Sequence, residues 1–371
     1  MTELHLDSAA DSGQCVGRLD GQVVFVRGGL PGETVLVELT QQKRRFARAR
    51  LLQVDVPSPH RIPSDCAWFP ACGGCAWRHT TAEEQLRIKA EVLQSTLRKM
   101  GGVDMPVSVR SLGRRNGWRT RVTLQVDEHG RPGFHEVGSH DVVAVEHCLQ
   151  AASALALEEI LAQRWPDVDR VAVSVSEAGR SVVAGSRTFG PAEHHDTVFG
   201  RSFSRAVDGF WQSHVDAPQT LAGAVRELAE PVERVVDLYA GVGLFGLILL
   251  DAMPGASVTL VEGDRVAARH ARRNAAGAAR VLAVDVRRWR PEACDLVVLD
   301  PPRAGAGAQV VGHIVAAGPR TVIYVSCDAP TLARDLKTFA TAGYRPDHIE
   351  GFDLFPATAH VETIVRLRRA T

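Results

Sequence analysis

Val235-Val236-Asp237-Leu238-Tyr239-Ala240-Gly241-Val242-Gly243-Leu244-Phe245-Gly246 sets an apolar β-run against a glycine turn and the start of an apolar helix. The same rhythm continues outward. Val258-Thr259-Leu260-Val261-Glu262 runs into a helix ending near Asn274, and Val281-Leu282-Ala283-Val284-Asp285 is followed by Leu296-Val297-Val298-Leu299-Asp300-Pro301-Pro302-Arg303. Then come Ile323-Tyr324-Val325-Ser326-Cys327-Asp328, opening a helix at Ala329-Pro330-Thr331, and a last run from Val361 to Leu367. Strands alternating with helices predict a doubly wound α/β sheet. Each of its first four strands ends in an acid.

Ligands of such sheets bind beyond the carboxyl ends of the strands, so the residues found there carry the chemistry. Asp237-x-x-x-Gly241-x-Gly243 is by itself a weak nucleotide-site signal, since many sheets of this kind turn on glycines. Glu262, about twenty residues on, stands where an acid binds ribose hydroxyls. A dehydrogenase would share that much. Asp300-Pro301-Pro302 tips the choice towards S-adenosylmethionine, because an acid before two prolines builds a rigid wall near a reacting methyl. Cys327 stands at a strand end and at a helix mouth, a setting that favours thiolate over thiol. Cys294, on its strand, reads as an inert small hydrophobe.

Upstream the patterning differs. Residues 1–58 alternate as short strands around the turn Gly28-Gly29-Leu30-Pro31-Gly32, which predicts a small barrel of the OB type. Lys43, Arg44, Arg45, Arg48 and Arg50 surround Phe46, a ribbon suited to RNA phosphates and a stacked base or, equally, to solvent. A proline-rich linker over 56–63 precedes Cys66-(five residues)-Cys72-Gly73-Gly74-Cys75. Three close cysteines with a remote Cys148 suit iron–sulfur ligation better than zinc, which usually shows a second close pair. A helix is expected over 82–100, then mostly β structure to about residue 205, with a second basic patch at Arg114, Arg115, Arg119 and Arg121.

At 371 residues the chain should hold two or three domains. Its 43 Lys+Arg and 43 Asp+Glu cancel, so any RNA binding must rest on local patches. No apolar run is long enough to span a bilayer, and the N-terminus lacks the regions of a signal peptide. An odd count of seven cysteines argues against a disulfide framework. A cytoplasmic protein with no membrane association is expected.

Taken together, these motifs resemble the RNA 5-methyluridine methyltransferases, in particular the branch carrying an iron–sulfur cluster. The resemblance rests on Phe210-Trp211-Gln212, the Asp237–Gly243 turn, Glu262, Asn274, Asp300-Pro301-Pro302-Arg303, Ser326-Cys327, Thr331-Leu332-Ala333-Arg334-Asp335 and His360-Val361-Glu362-Thr363, with the four cysteines upstream. It implies a TRAM-like OB barrel (1–58), a mostly β central domain carrying a [4Fe-4S] cluster on Cys66, Cys72, Cys75 and Cys148 (59–205), and a Rossmann-like class I S-adenosylmethionine methyltransferase domain (206–371). Gln212, Tyr239, Gly241, Gly243, Glu262, Asp285 and Asp300 would bind the cofactor, Cys327 would be the nucleophile and Glu362 the base. The implied partner of this monomer is structured RNA, with 23S ribosomal RNA favoured over transfer RNA. A non-catalytic iron–sulfur RNA-binding protein is the alternative from another class. Amino-group methylation, a third reading, would place an aromatic where Arg303 stands and leave Cys327 idle. Two positions depart from the family pattern, Asp328 after the nucleophile and His214 in place of asparagine. A carboxylate beside Cys327 would disfavour the thiolate unless it caps the next helix.

Overall fold

The computed structural model describes residues 1–370. β1 (Thr2–Ala9), β2 (Cys15–Leu19), β3 (Gln22–Val26), β4 (Thr34–Gln42) and β5 (Phe46–Val56) close into a barrel in the order β1-β2-β3-β5-β4, sealed by β1 against β4. Alternating side chains fill it: Leu4 and Leu6, Val24 and Val26, Val35 and Val37, Ala47 and Ala49. Gly17 sits where a Cβ would lie 2.3 Å from the carbonyl oxygen of His5, so close approach of two barrel strands requires glycine there.

α1 (Ala82–Thr96) starts on Thr81, whose side chain accepts from the Glu84 N–H, and ends through a single π turn that stops at Gly102. β6 (Ser108–Ser111) follows. β7 (Arg121–Val126), β8 (Pro132–His135), β9 (Val142–Ala144), the short α2 (Leu157–Leu161), β10 (Arg170–Ser176), β11 (Gly179–Ala184) and β12 (Arg187–Phe189) give a six-stranded sheet, ordered β12-β11-β10-β7-β8-β9. β13 (Glu193–Val198) and β14 (Arg201–Ala206) pair only with each other.

The C-terminal region runs α3 (Ala217–Leu228), β15 (Arg234–Leu238), α4 (Leu244–Ala252), β16 (Ser257–Glu262), α5 (Arg265–Ala275), β17 (Arg280–Ala283), β18 (Leu296–Leu299), α6 (Gly307–Ala317), β19 (Thr321–Ser326), α7 (Ala329–Thr341), β20 (Tyr344–Asp353) and β21 (Glu362–Arg369). Its strands order β17-β16-β15-β18-β19-β21-β20-β6, with β21 antiparallel to both neighbours. Successive residues feed two cores: Val235, Leu260 and Val298 face one apolar layer, while Val236, Val261 and Val297 face the other. Burial on both faces accounts for the unbroken apolar runs. The order reverses direction between β15 and β18, which is where a crevice opens in such sheets.

The partition expected at 59–205 and 206–371 does not follow the chain cleanly. β6, inside the expected central domain, is the eighth strand of the catalytic sheet and pairs in parallel with β20. α1 adds Leu93 to the core beneath that sheet, and β14 is tied to α5 through the Asn274 side chain, which accepts from the Ser204 N–H at 2.9 Å. The mostly β central region is present as the six-stranded sheet, but the cysteine-bearing stretch beside it has no regular structure of its own. Residues 61–80 form neither helix nor strand and are held by isolated bridges such as Cys72 with Glu136. No helix among the described residues is long and apolar enough to cross a membrane.

Candidate active site

A cavity of about 800 Å³ opens at the carboxyl ends of the parallel strands. Gln212, Tyr239, Gly241, Glu262, Asp300, Arg303, Cys327 and Glu362 face it. One wall is the glycine turn. Tyr239 leaves β15 with φ 60° and Gly241 follows at φ 56°, so the chain doubles back in the left-handed region at once. That turn aims the Gly241 N–H at Glu262, whose Oε2 accepts it at 2.8 Å while Oε1 accepts from Asp264 N at 2.6 Å. The carboxylate ending β16 is thus fixed by two backbone donors at the rim.

β19 and β21 build the opposite wall. Their antiparallel register ends at the Ser326–Thr363 pair, and Cys327 and Glu362, each one residue further on, both line the cavity. Glu362 is buried, and its carboxyl pKa is raised well above the ordinary range by burial and by Asp300, with Arg303 opposing. Burial likewise raises that of Asp300. The Cys327 thiol is pushed up to about 11 by burial, then by Glu362 and Asp300, and Arg303 pulls it back. The helix mouth alone therefore does not make Cys327 a thiolate. Burial and two carboxyl groups outweigh it.

Asp328 is turned away from the sulfur. It is the N-cap of α7, its Oδ1 accepting from the Thr331 N–H at 2.9 Å and from the Thr331 hydroxyl at 2.8 Å. His214 is also turned away. It is fully buried against Trp118 with ring planes 11° apart, and its Nδ1 accepts from Asp216 N at 3.1 Å. Neither departure enters the cavity.

Comparison with known proteins gives this geometry its context. Residues 3–52 match the TRAM domain, and residues 258–370 match the family described as tRNA (Uracil-5-)-methyltransferase. An RNA methyltransferase of Corynebacterium efficiens is 37% identical over 96% of this chain and 91% of its own length. One from Streptomyces coelicolor is 34% identical over 99% of this chain and 93% of its own. The chain belongs to the RNA (uracil-C5) methyltransferase family. It is an S-adenosylmethionine-dependent enzyme. The crystal structure of the Pyrococcus abyssi tRNA (uracil-54, C5)-methyltransferase with S-adenosyl-L-homocysteine shares the fold, with a TM-score of 0.76 and 22% identity over 99% of this chain and all of that one.

The methyltransferase brings most of the expected site residues together, with two qualifications. Gly243 does not line the cavity; it starts α4 at φ 96°, and a Cβ there would lie 2.9 Å from Leu247 Cδ1 and 3.0 Å from Leu260 Cδ1. Asp285 does not reach the cavity: it caps a short 3₁₀ turn and is held down to about 2 by the Arg287 side chain hydrogen-bonded to it. Asp237 is wholly buried below the turn, its Oδ2 accepting from Gly246 N at 2.8 Å. Gly246 must be glycine, since a Cβ would meet Leu260 Cδ2 at 2.3 Å and Asp237 Cβ at 3.0 Å.

Cys66, Cys72, Cys75 and Cys148 line one small cavity, but no group of three or more His, Cys, Asp or Glu among the described residues is arranged to hold a metal ion. Sequence reasoning gave no site role to Phe355, nor to His360 beyond its place in the His360–Thr363 motif; both complete the site beside Arg303. They lie on an irregular segment with no periodic pattern to announce it.

Proposed function

We propose that this methyltransferase converts a uridine in structured RNA to 5-methyluridine, with Cys327 as nucleophile and Glu362 as base. The placement of Cys327 and Glu362 on the wall of one cavity, each one residue beyond the Ser326–Thr363 pair, carries this reading. Carbon 5 of uracil is a weak nucleophile until a thiolate adds to carbon 6, which leaves an enolate that can take up a methyl group at carbon 5. A base must then remove the carbon-5 proton so that the ring becomes aromatic again and the thiolate is expelled. Burial, which raises the Glu362 carboxyl, makes its ionised form the stronger base for that step. Bound S-adenosylmethionine supplies an electrophilic methyl on a cationic sulfonium, and that charge favours the ionised forms of Cys327, Glu362 and Asp300. Gln212, Tyr239, Gly241, Glu262 and Asp300 would hold it.

A transfer RNA target has more support than the ribosomal RNA expected from the sequence. Both the matched family description and the Pyrococcus abyssi protein name tRNA. The ribosomal expectation rested on the cluster-bearing resemblance alone. We place the protein in the cytoplasm, as a monomer. The four cysteines suit a [4Fe-4S] cluster by donor chemistry. They are soft thiols on two segments lining one cavity, with Arg119 and Arg27 beside them. The cluster would cross-link the loops, with no part in methyl transfer.

The test uses transfer and ribosomal RNA carrying tritium at uridine carbon 5. Methylation releases one tritium per methyl incorporated. RNA that binds without tritium release would leave only the non-catalytic reading. Nucleoside mapping in a strain lacking the protein then decides between transfer and ribosomal RNA.

A further inference from the structure

The segment 354–361 between β20 and β21 lines the catalytic cavity through Phe355 and His360 and delivers Glu362 to the first position of β21. It has little regular structure to hold it, with Ala357 at φ 65°, a left-handed conformation uncommon for a residue with a Cβ. Its position is instead fixed by groups more than two hundred residues earlier in the chain. Lys89 of α1 is 1% exposed, and its Nζ donates to Asp353 Oδ1 at 2.6 Å and to the Phe355 carbonyl at 3.1 Å. Gln85, one turn earlier, accepts from the Ala357 N–H at 2.8 Å. The backbone N–H groups of Ala76 and Trp77 both donate to the Ala357 carbonyl, at 2.8 and 3.0 Å. Buried Gln150 donates through Nε2 to Cys75 Sγ at 3.1 Å and lies 3.4 Å from the Pro356 carbonyl.

A buried ammonium is costly, and replacing such a pair with apolar groups is often neutral or stabilising. Stability is therefore a weak reason for Lys89. Its geometric effect is specific: one charge satisfies both the last residue of β20 and the backbone of the segment that shapes the cavity. We propose that Lys89 is a positioning residue for methyl transfer, with Gln85 and Gln150 beside it, holding segment 354–361 so that Glu362 meets the substrate opposite Cys327. This rests on the methyltransferase reading of the site. None of the three touches the cavity, so each acts through the segment it holds. Gln150 also joins that segment to Cys75, which makes the cysteine-bearing loop a structural neighbour of the active site.

Lys89→Met keeps the length of the side chain and removes its charge. In hydrogen-exchange mass spectrometry of the full chain, peptides covering 354–362 should exchange about tenfold faster in this variant, while β15 and β16 stay protected. The kcat should fall by about tenfold or more, since small displacements near reacting groups are expensive, while S-adenosylmethionine affinity changes little. Gln150→Leu, which keeps the charge pair, should loosen the same peptides less. It also keeps the proposal testable if Lys89→Met does not fold. Unchanged exchange at 354–362 in the folded variants overturns the proposal, as does a kcat equal to that of the wild type. If the wild type methylates no RNA, the functional reading fails, while the exchange result still reports on the clasp.

Discussion

Cys327 and Glu362 each lie one residue beyond the Ser326–Thr363 pair that ends the β19–β21 ladder, and both line one cavity. Two residues 35 positions apart in sequence thereby reach one cavity, Cys327 just past the end of β19 and Glu362 at the start of β21. The arrangement predicts separable losses. Glu362→Gln leaves a neutral side chain of the same shape that cannot take the carbon-5 proton, so addition and methyl transfer proceed but elimination stalls. Turnover should drop by about 10²–10⁴-fold, the usual worth of a general base. A protein–RNA adduct that survives denaturing electrophoresis should accumulate. Cys327→Ser should give neither turnover nor adduct. An active Glu362→Gln enzyme that leaves no adduct would assign the base elsewhere.

Arg303 is the cation that opposes the rise of the Cys327 thiol, and it follows directly on the Asp300-Pro301-Pro302 wall. Its removal should push the thiol further up. Arg303→Gln should therefore lower the rate of Cys327 alkylation by iodoacetamide at pH 8, measured by peptide mapping on ligand-free protein. Each unit of pKa is about tenfold in thiolate, but Arg303 is exposed and screened, so a loss of a few-fold is expected. The wild-type rate should itself rise steadily with pH to about 11. A plateau near pH 7 would show a thiolate already formed in the empty cavity.

The sheet was legible because strands buried on both faces leave unbroken apolar runs, and glycine turns punctuate them. The barrel was legible from alternation. β6 was not: Ser108–Ser111 is four residues long, mostly exposed, and carries no alternation, so only its partner β20 defines it. Cys327, Glu362 and the cofactor wall were legible because strand ends in such a fold gather at one edge. The clasp on 354–361 was hidden, since backbone carbonyls accepting from Lys89 and Gln150 leave no trace in the residue types of that segment. Asp285 differs from the other acids: it follows a strand as they do, but its carboxylate pairs with Arg287 two residues on.

Asp237 gives a pH dependence of stability whose sign is fixed. Burial pushes its carboxyl up to about 8, against an ordinary value of 3.8. The unfolded chain gives up this proton near pH 4 and the folded one near pH 8, so between those values rising pH favours unfolding. Above about 8 the effect levels off. Histidines held neutral by burial, such as His194 at about 4, stabilise in the opposite direction but have finished titrating by pH 7. In urea unfolding between pH 7 and 8 the wild type should therefore lose up to about 1.4 kcal/mol per pH unit from this group. Asp237→Asn should lack that slope while keeping the acceptor for Gly246 N. Equal slopes in the two proteins would place the Asp237 proton elsewhere.

Asp328 can be tested for its two possible actions separately, because one needs its oxygen and the other its charge. As the N-cap of α7 it needs an acceptor facing the Thr331 N–H, which asparagine also provides. Asp328→Ala should cost about 1 kcal/mol of stability, in the usual range for a lost cap, and Asp328→Asn close to nothing. If the carboxylate instead acted on the neighbouring sulfur, Asp328→Asn would lower the Cys327 thiol and speed its alkylation. The hydrogen bonds to Thr331 place the charge on the helix, where the N-terminal amides compensate it. The expected outcome is an unchanged alkylation rate in Asp328→Asn, with the thermal midpoint lowered only in Asp328→Ala. Faster alkylation in the asparagine variant would mean that the nucleophile works against its own neighbour.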